Sequence, residues 1–149
     1  MVMKNPDEIL AQLPYTKPFL FVDSIEQIDH NGVKGHYTFD GSADFYRGHF
    51  KDHPVTPGVI LTEVMAQIGL VCLGIFLLDD NFSKKVSIGL TSTQIEFLKP
   101  VYPGQKVTVT STKKYFRFGK LKCQVTMTDD SGQEVCSGEI AGMILTKAP

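Results

Sequence analysis

The stretch from Gly58 to Leu78 constrains the fold more than any other part of the sequence, because it is almost continuously apolar. Twenty residues of helix would reach about 30 Å, which is also the thickness of a membrane's hydrocarbon core. Against a membrane span, the first half holds Thr62, Glu63 and Gln67, and two aspartates rather than basic residues follow the end. A helix that is apolar on nearly all sides otherwise forms the buried axis of a globular fold. The stretch therefore predicts one buried central helix.

Strand patterns lie on both sides of this helix, after a short first helix that Asn5 caps and Pro6 begins. The predicted strands are 19–28, 33–39, 86–98, 107–118, 121–128 and 135–145. Runs of strands without alternating helices indicate an α+β protein. A single apolar helix beside so much sheet is best buried by a sheet that curls around it. The expected architecture is the hot-dog fold, an antiparallel β-sheet wrapped around one long α-helix, as a single domain over residues 1–149.

The composition excludes several classes of protein. The net charge is −1, so no overall field favours nucleic acid or an anionic membrane. Three cysteines without C-x-x-C spacing predict buried, reduced thiols. The N-terminus has no apolar segment typical of export. We therefore expect a cytoplasmic protein.

The chemistry is concentrated between Gly48 and Gln67, in the sequence G-H-F-K-D-H-P-V-T-P-G-V-I-L-T-E-V-M-A-Q. His49 lies in a loop that two prolines restrict, and imidazole is the side chain whose ordinary pKa suits a base near neutral pH. The helix that opens at Gly58 offers free N–H groups for a developing oxyanion. Glu63 lies among apolar neighbours that would raise its pKa and keep it protonated, as a general acid requires. These are the parts of an acid–base active site.

Each of these residues also has a purely structural interpretation. His49 fits a core histidine satisfied by a carbonyl, and Glu63 fits a helix carboxylate paired at a subunit contact. Gln67 is one turn from Glu63 on the same helix face. Its side chain either orients Glu63 through a hydrogen bond or is simply part of the helix. His53 with Asp52 raises a metal site, but the prolines prevent the regular helix that would align His49 with His53, and a third ligand is missing. We expect no metal.

The sequence from Gly48 to Gln67 resembles the signature of the FabZ-type β-hydroxyacyl-acyl carrier protein dehydratases. Upstream, L-P-Y-T-K-P-F-L-F-V-D from Leu13 to Asp23 is similar to the opening of that family. Downstream, F-L-K-P-V-Y-P-G from Phe97 to Gly104 is similar to its F-x-x-P-V-x-P-G turn. The three matches fall in the family's order and span most of the chain.

The resemblance implies a hot-dog dimer, often assembled further into a trimer of dimers, with His49 of one subunit facing Glu63 of its partner. It implies an acyl substrate carried on the phosphopantetheine of acyl carrier protein, and no other cofactor. The predicted substrate and oxyanion residues are Gly58, Val59, Phe50, Gln67, Phe97 and Leu98. Because carrier protein is acidic, basic residues near the opening of the substrate site would attract it. The predicted docking residues are Lys99, Lys84 and Lys85.

Three positions bear on how closely the chain follows the family. Lys51 stands where the family usually has Pro, and Thr56 where it often has an apolar residue. Position 63 is Glu rather than the Asp of the FabA-type branch, which favours simple dehydration to the trans-2-enoyl product. The alternatives are a hot-dog thioesterase in which Glu63 activates water, and a non-catalytic hot-dog module that binds acyl chains or scaffolds a synthase.

Overall fold

The computed structural model describes residues 4–79 and 86–146. The first element is α1, Pro6–Gln12. Its start is as predicted: the side chain of Asn5 accepts a hydrogen bond of 2.9 Å from the backbone N–H of Glu8, and Pro6 begins the first turn. Asp7 and Glu8 place negative charge in that turn, where it interacts favourably with the helix dipole.

Within these two described ranges, six antiparallel strands form one sheet in the order β1-β2-β4-β5-β6-β3. Their bounds are β1 Ser24–Asp29, β2 Gly32–Thr38, β3 Val86–Phe97, β4 Lys106–Arg117, β5 Lys120–Asp129 and β6 Glu134–Thr146. Strands β4, β5 and β6 follow one another through tight turns, and β3 pairs with β6. As a result β1 and β3 are the two edges of the sheet.

The central helix runs from Gly58 to Leu78 with a change of winding in its middle. Gly58–Ala66 and Leu73–Leu78 are α-helical, and Gln67–Cys72 between them is π-helical. Every residue from Val64 to Phe76 is buried. The helix is long and apolar enough to cross a membrane, but 78% of its most hydrophobic window is buried inside the protein. This burial is what the sequence predicts for a core helix.

The π segment packs tightly against β4 and β5. The hydroxyl of Ser111 on β4 donates a buried hydrogen bond of 2.8 Å to the carbonyl oxygen of Gly69. A Cβ atom at Gly69 would lie 2.9 Å from Cγ1 of Val125 and 3.2 Å from Cβ of Ser111. A Cβ at Gly74 would likewise meet the side chain of Ile88 on β3, so both glycines allow close packing of the helix on the sheet. The π winding was not foreseen.

The first strand, predicted over 19–28, begins later in the structure than expected. Residues 19–23 are not part of a strand, and β1 begins at Ser24. The reason is that two backbone groups of this segment are bound by a side chain: Phe21 N–H donates to Gln67 Oε1, and Phe19 C=O accepts from Gln67 Nε2. The apolar run therefore lies against the central helix rather than in the sheet.

The helix packs on one face of the sheet and contacts β2, β4, β5 and β6. Apolar residues of all these elements form one buried cluster. Cys72, Cys123 and Cys136 are buried free thiols within it, as predicted. The α+β hot-dog architecture expected from the sequence is the architecture of the protein.

Candidate active site

The loop that carries His49 is closed by its own backbone. It follows a 3₁₀ helix at Asp44–Arg47, and the backbone N–H groups of Gly48 and His49 both donate to the carbonyl of Phe45. On the far side of the loop, Val55 N–H donates to His49 C=O at 2.9 Å, and Thr56 N–H donates to Val101 C=O at 2.8 Å. The imidazole is thus mounted on a short, hydrogen-bonded loop that leads directly into the central helix.

The imidazole of His49 has one nitrogen fixed and one nitrogen without a bonding partner among the described residues. Nδ1 lies 2.9 Å from the carbonyl oxygen of Val55. A carbonyl only accepts hydrogen bonds, so Nδ1 carries the hydrogen and Nε2 of the neutral ring carries the lone pair. The phenyl ring of Phe50 stacks on the imidazole with a centroid distance of 4.1 Å. The side chain is therefore oriented to accept a proton at Nε2.

The tip of the central helix provides backbone donors. Pro57 precedes the first turn and forms no side-chain cap, and its carbonyl accepts from the N–H groups of Ile60 and Leu61. The N–H groups of Gly58 and Val59 form none of the backbone bonds described for this part of the chain. A Cβ at Gly58 would come within 3.3 Å of two ring atoms of Phe97. Glycine leaves room for the ring of Phe97 to pack against this tip.

The side chain of Glu63 is half-buried in the second turn of the helix. Burial raises the pKa of this carboxyl above its ordinary value, and a hydrogen bond from Gln67 acts in the opposite direction. Burial is the larger effect, since removing the charged form from water disfavours ionisation. This is the direction the sequence predicts for a carboxyl group that donates a proton.

Gln67 connects Glu63 to the segment before β1. It is fully buried, and its Nε2 lies 3.0 Å from Glu63 Oε2 and 3.0 Å from the carbonyl oxygen of Phe19. Its Oε1 accepts from the N–H of Phe21 at 2.9 Å. The hydrogen bond from Gln67 to Glu63 is therefore present, and its role in orienting the carboxyl group stays a prediction.

Tyr15 is a neighbour of Glu63 that the sequence analysis did not identify. The pKa of its phenol is raised by burial, and further by the nearby charge of Glu63. Its ring lies 6.3 Å from the ring of Phe19. Tyr15 stands in the L-P-Y-T-K-P-F-L-F-V-D segment, so the signal was present in a motif that was interpreted only as support for the family resemblance.

The four apolar side chains among the predicted substrate-binding residues are all strongly exposed in the single chain. The exposed fractions are 57% for Phe50, 76% for Val59, 50% for Phe97 and 56% for Leu98. Phe97 lies against Gly58 and Phe50 lies against His49, so two of the four adjoin predicted site residues. The other two, Val59 and Leu98, are exposed apolar residues next in sequence to Gly58 and Phe97, and we refer to the four side chains as the rim.

The two departures from the family pattern have different surroundings. Thr56 is buried, and its hydroxyl lies 2.6 Å from that of Tyr46, so its polar group is satisfied. This pair ties the 3₁₀ helix before His49 to the segment before Gly58. Lys51 is exposed at the loop tip.

The predicted docking lysines stay predictions. Lys99 already has partners within the chain: its Nζ lies 2.6 Å from Asp129 Oδ2 and 2.6 Å from Gln133 Oε1. Lys84 and Lys85 lie outside the described residues. Over 4–79 and 86–146, no group of three or more His, Cys, Asp and Glu side chains is placed to hold a metal ion. His53 instead packs edge-on near the ring of Tyr102, with centroids 6.2 Å apart.

Within the described residues, no hydrogen bond joins His49 to Glu63. Nδ1 of His49 binds the carbonyl of Val55, and Oε2 of Glu63 binds Gln67. An imidazole whose Nδ1 is held by a backbone carbonyl, a carboxyl group of raised pKa and a helix tip whose first N–H groups make no backbone bond to any described residue are the parts of an acid–base enzyme of the hot-dog class.

Comparison with known proteins makes the assignment more specific. The model of the FabA-like domain family matches residues 13–141. The 3-hydroxyacyl-acyl-carrier-protein dehydratase FabZ of Clostridium perfringens is 35% identical over 142 residues, which covers 93% of this chain and 96% of that protein. The FabZ of Caldicellulosiruptor bescii is also 35% identical, over 141 residues, with the same coverage. The chain belongs to the FabA-like family and, within it, to the FabZ-type dehydratases.

Solved structures support the fold alone. A thioesterase from Haemophilus influenzae superposes with a TM-score of 0.69 at 12% identity, covering 99% of this chain and 95% of that one. AziG of S. sahachiroi superposes with a TM-score of 0.62 at 16% identity, covering 82% of this chain and 90% of that one. At such low identities the likeness carries no information about the reaction.

Proposed function

We propose that the protein removes water from (3R)-hydroxyacyl thioesters of acyl carrier protein and releases trans-2-enoyl thioesters. The observation that carries this proposal is that the stretch from Gly48 to Gln67 holds two groups suited to opposite proton transfers. Nδ1 of His49 is bound to the carbonyl of Val55, which leaves Nε2 as the nitrogen that can accept a proton, and burial raises the pKa of the Glu63 carboxyl above its ordinary value. Dehydration needs one group to take a proton and another to give one.

The reaction divides between the site residues as follows. His49 Nε2 removes the proton from the α-carbon, and the electron pair moves onto the thioester oxygen, which the N–H of Gly58 holds. The electrons then return to form the Cα–Cβ double bond, and the bond to the β-hydroxyl breaks. Glu63 gives its proton to that hydroxyl, which leaves as water. A proton passes from His49 to Glu63 or through solvent to restore the resting state.

Both proton transfers use side chains, so the proposed reaction needs no metal or redox cofactor. The phosphopantetheine arm arrives with the substrate, on acyl carrier protein. We further propose that Phe50, Val59, Phe97 and Leu98 line the path of the acyl chain, with Lys99, Lys84 and Lys85 as weak docking candidates. We propose a cytoplasmic location, which fits a reaction on acyl carrier protein.

We also propose that the site is completed by a second copy of the chain, as a homodimer that can assemble into a trimer of dimers. The exposed rim supports this, because apolar side chains at 50–76% exposure around a reactive site are costly to leave in water. Strand β3 supports it too, since it is a 12-residue edge strand whose outer residues are exposed, and long open edges are rarely left unpaired. In such a dimer, His49 of one copy faces the partner subunit's Glu63.

The test is product analysis with 3-hydroxyacyl carrier proteins of several acyl lengths. Loss of water to give an enoyl thioester, detected by mass spectrometry of the intact carrier protein, is the expected result. Release of free acid and thiol would instead establish a thioesterase. Binding without turnover at every length would establish a non-catalytic module.

A further inference from the structure

We propose that Gln67 is a positioning residue that gives the two carboxyl oxygens of Glu63 different roles. It holds Oε2 as a hydrogen-bond acceptor, so that Oε1 is the oxygen that carries the transferable proton. This inference rests on the proposed function, in which Glu63 is the acid, and it specifies which of the two oxygens faces the departing hydroxyl.

The first step concerns the amide of Gln67, whose orientation is fixed by its neighbours. The backbone N–H of Phe21 can only donate, so the atom 2.9 Å away must be the amide oxygen Oε1. The backbone carbonyl of Phe19 can only accept, so the atom 3.0 Å away must be the amide nitrogen. Two independent contacts therefore exclude the flipped amide.

The second step counts the hydrogens on Nε2. The amide nitrogen has two, and it has two neighbours at 3.0 Å: the carbonyl oxygen of Phe19 and Oε2 of Glu63. One hydrogen goes to each. Gln67 is fully buried, so water does not compete for either of them.

The third step transfers this constraint to Glu63. An oxygen that accepts from an N–H at 3.0 Å acts as the carbonyl-type oxygen of a neutral carboxylic acid, because the carbonyl oxygen of such an acid is a better acceptor than its hydroxyl oxygen. The proton of the neutral acid is then on Oε1. Oε1 is also the oxygen that Gln67 leaves without a hydrogen bond.

The charged and titratable groups around Glu63 do not change this assignment. Tyr15 faces Glu63 from the segment after α1, and its pKa is raised, so its phenol stays neutral. Cys72 on the same helix is buried, and its pKa is raised to about 12, so it stays a thiol. In the proposed dimer the remaining group is the partner subunit's His49, on the side where the substrate lies.

The same amide links the acid to the segment from Phe19 to Phe21. Both backbone contacts of this segment to the helix pass through Gln67, so displacing that side chain releases the carboxyl group and the segment together. Gln67 thus holds both the carboxyl group of Glu63 and the segment from Phe19 to Phe21 in place.

The first test uses the wild-type protein and does not depend on activity. The side-chain amide protons of Gln67 and the carboxyl carbon of Glu63 are followed by NMR across a pH titration. We expect both to change with the same midpoint, because one Nε2 hydrogen lies on Oε2. Gln67 resonances that stay constant through the titration of Glu63 would overturn the proposal.

The second test uses Gln67→Met, which keeps the volume but removes both donors, with Ser111→Ala as matched control. The control also loses a buried hydrogen bond to the central helix, at Gly69, but does not touch Glu63. We expect the midpoint of Glu63 to move upward in Gln67→Met only, and kcat to fall by up to about 10²-fold while KM stays within about twofold. Equal effects of both variants would show a merely structural role and would overturn the proposal.

The third test locates the proton itself. Neutron diffraction from deuterated crystals below the midpoint of Glu63 should show deuterium on the oxygen that Gln67 does not contact. Deuterium on the contacted oxygen would overturn the proposal even if Gln67→Met lowers the rate. Because the titration and the diffraction need no substrate, a protein that fails to dehydrate would refute the proposed function while leaving this assignment to be judged separately.

Discussion

Val55 and His49 form two reciprocal hydrogen bonds: the N–H of Val55 donates to the carbonyl of His49, and Nδ1 of His49 donates to the carbonyl of Val55, each at 2.9 Å. The backbone bond closes the loop, and the side-chain bond fixes the tautomer of the imidazole. One residue of the chain therefore determines both where His49 lies and which nitrogen is basic.

We expect His49→Ala to lower the rate of dehydration by about 10²–10⁴-fold, because it removes the base. The fold should lose little, since the side chain makes one hydrogen bond, worth about 1 kcal/mol. Steady-state kinetics and thermal unfolding measure the two effects. His53→Ala is the matched control, an imidazole in the same loop that packs near Tyr102, and it should retain activity. A loss of stability as large as the loss of rate would contradict the assignment.

The sequence predicts most of the fold because the periodic patterns are long. The bounds of the central helix, the five strands from β2 to β6 and the cap at Asn5 depend on local rules that tertiary contacts do not override. The error at residues 19–23 has a different origin. The backbone of that segment is satisfied by Gln67, a residue 46–48 positions away, and no local pattern reports such a bond.

The candidate site divides in the same way. The environment of Glu63 follows from its apolar neighbours in sequence, so the rise in its pKa is predictable. The π winding from Gln67 to Cys72 is not, and neither is the hydrogen bond that Ser111 on β4 donates to Gly69 within that segment, because it joins residues far apart in sequence. The neighbourhood of Tyr15 and Glu63 is likewise a tertiary contact between distant segments.

Glu63 gives a prediction for stability against pH. Its pKa is raised in the folded state, so between its ordinary and raised values the folded protein binds more protons than the unfolded one. The stability it contributes is complete below the ordinary pKa and is lost as the pH rises through the raised pKa. Glu63→Gln cannot titrate, so its free energy of unfolding should gain on that of the wild type as the pH rises through this window.

Denaturant unfolding at a fixed protein concentration and a series of pH values measures this difference. Glu26→Gln is the control of opposite sign, because His36 and Lys34 lower the pKa of the exposed Glu26, so its contribution is lost as the pH falls. Parallel curves for the wild type and Glu63→Gln would mean that the carboxyl is not desolvated in solution.

Gly69 gives a prediction for packing. A methyl group there would lie 2.9 Å from Cγ1 of Val125, so close that the side chain of Val125 or the helix must shift. We expect Gly69→Ala to lower the free energy of unfolding by about 1–3 kcal/mol, as overpacking of a core does. Gly41→Ala is the control, since its new Cβ would lie 3.7 Å from Pro103, and its effect should stay within about 0.5 kcal/mol. Equal stability of the two variants would contradict the close approach of helix and sheet.

The composite site gives the most discriminating prediction. If His49 acts with the partner subunit's Glu63, a heterodimer of His49→Ala and Glu63→Gln chains holds one site with both groups intact and one with neither. Each homodimer should be inactive. A mixture that has exchanged subunits at random should recover about a quarter of wild-type activity, since half of the dimers are mixed and each has one working site.

The control mixes wild-type chains with the double variant His49→Ala/Glu63→Gln. There each site of the heterodimer lacks one group, so mixing should lower the activity of the wild-type homodimers rather than add to it. Tagged subunits purified in tandem remove the uncertainty of exchange, and size-exclusion chromatography verifies the dimer. If the first mixture stays inactive although heterodimers have formed, both groups act within one chain, and the exposed rim around Gly58 has another purpose.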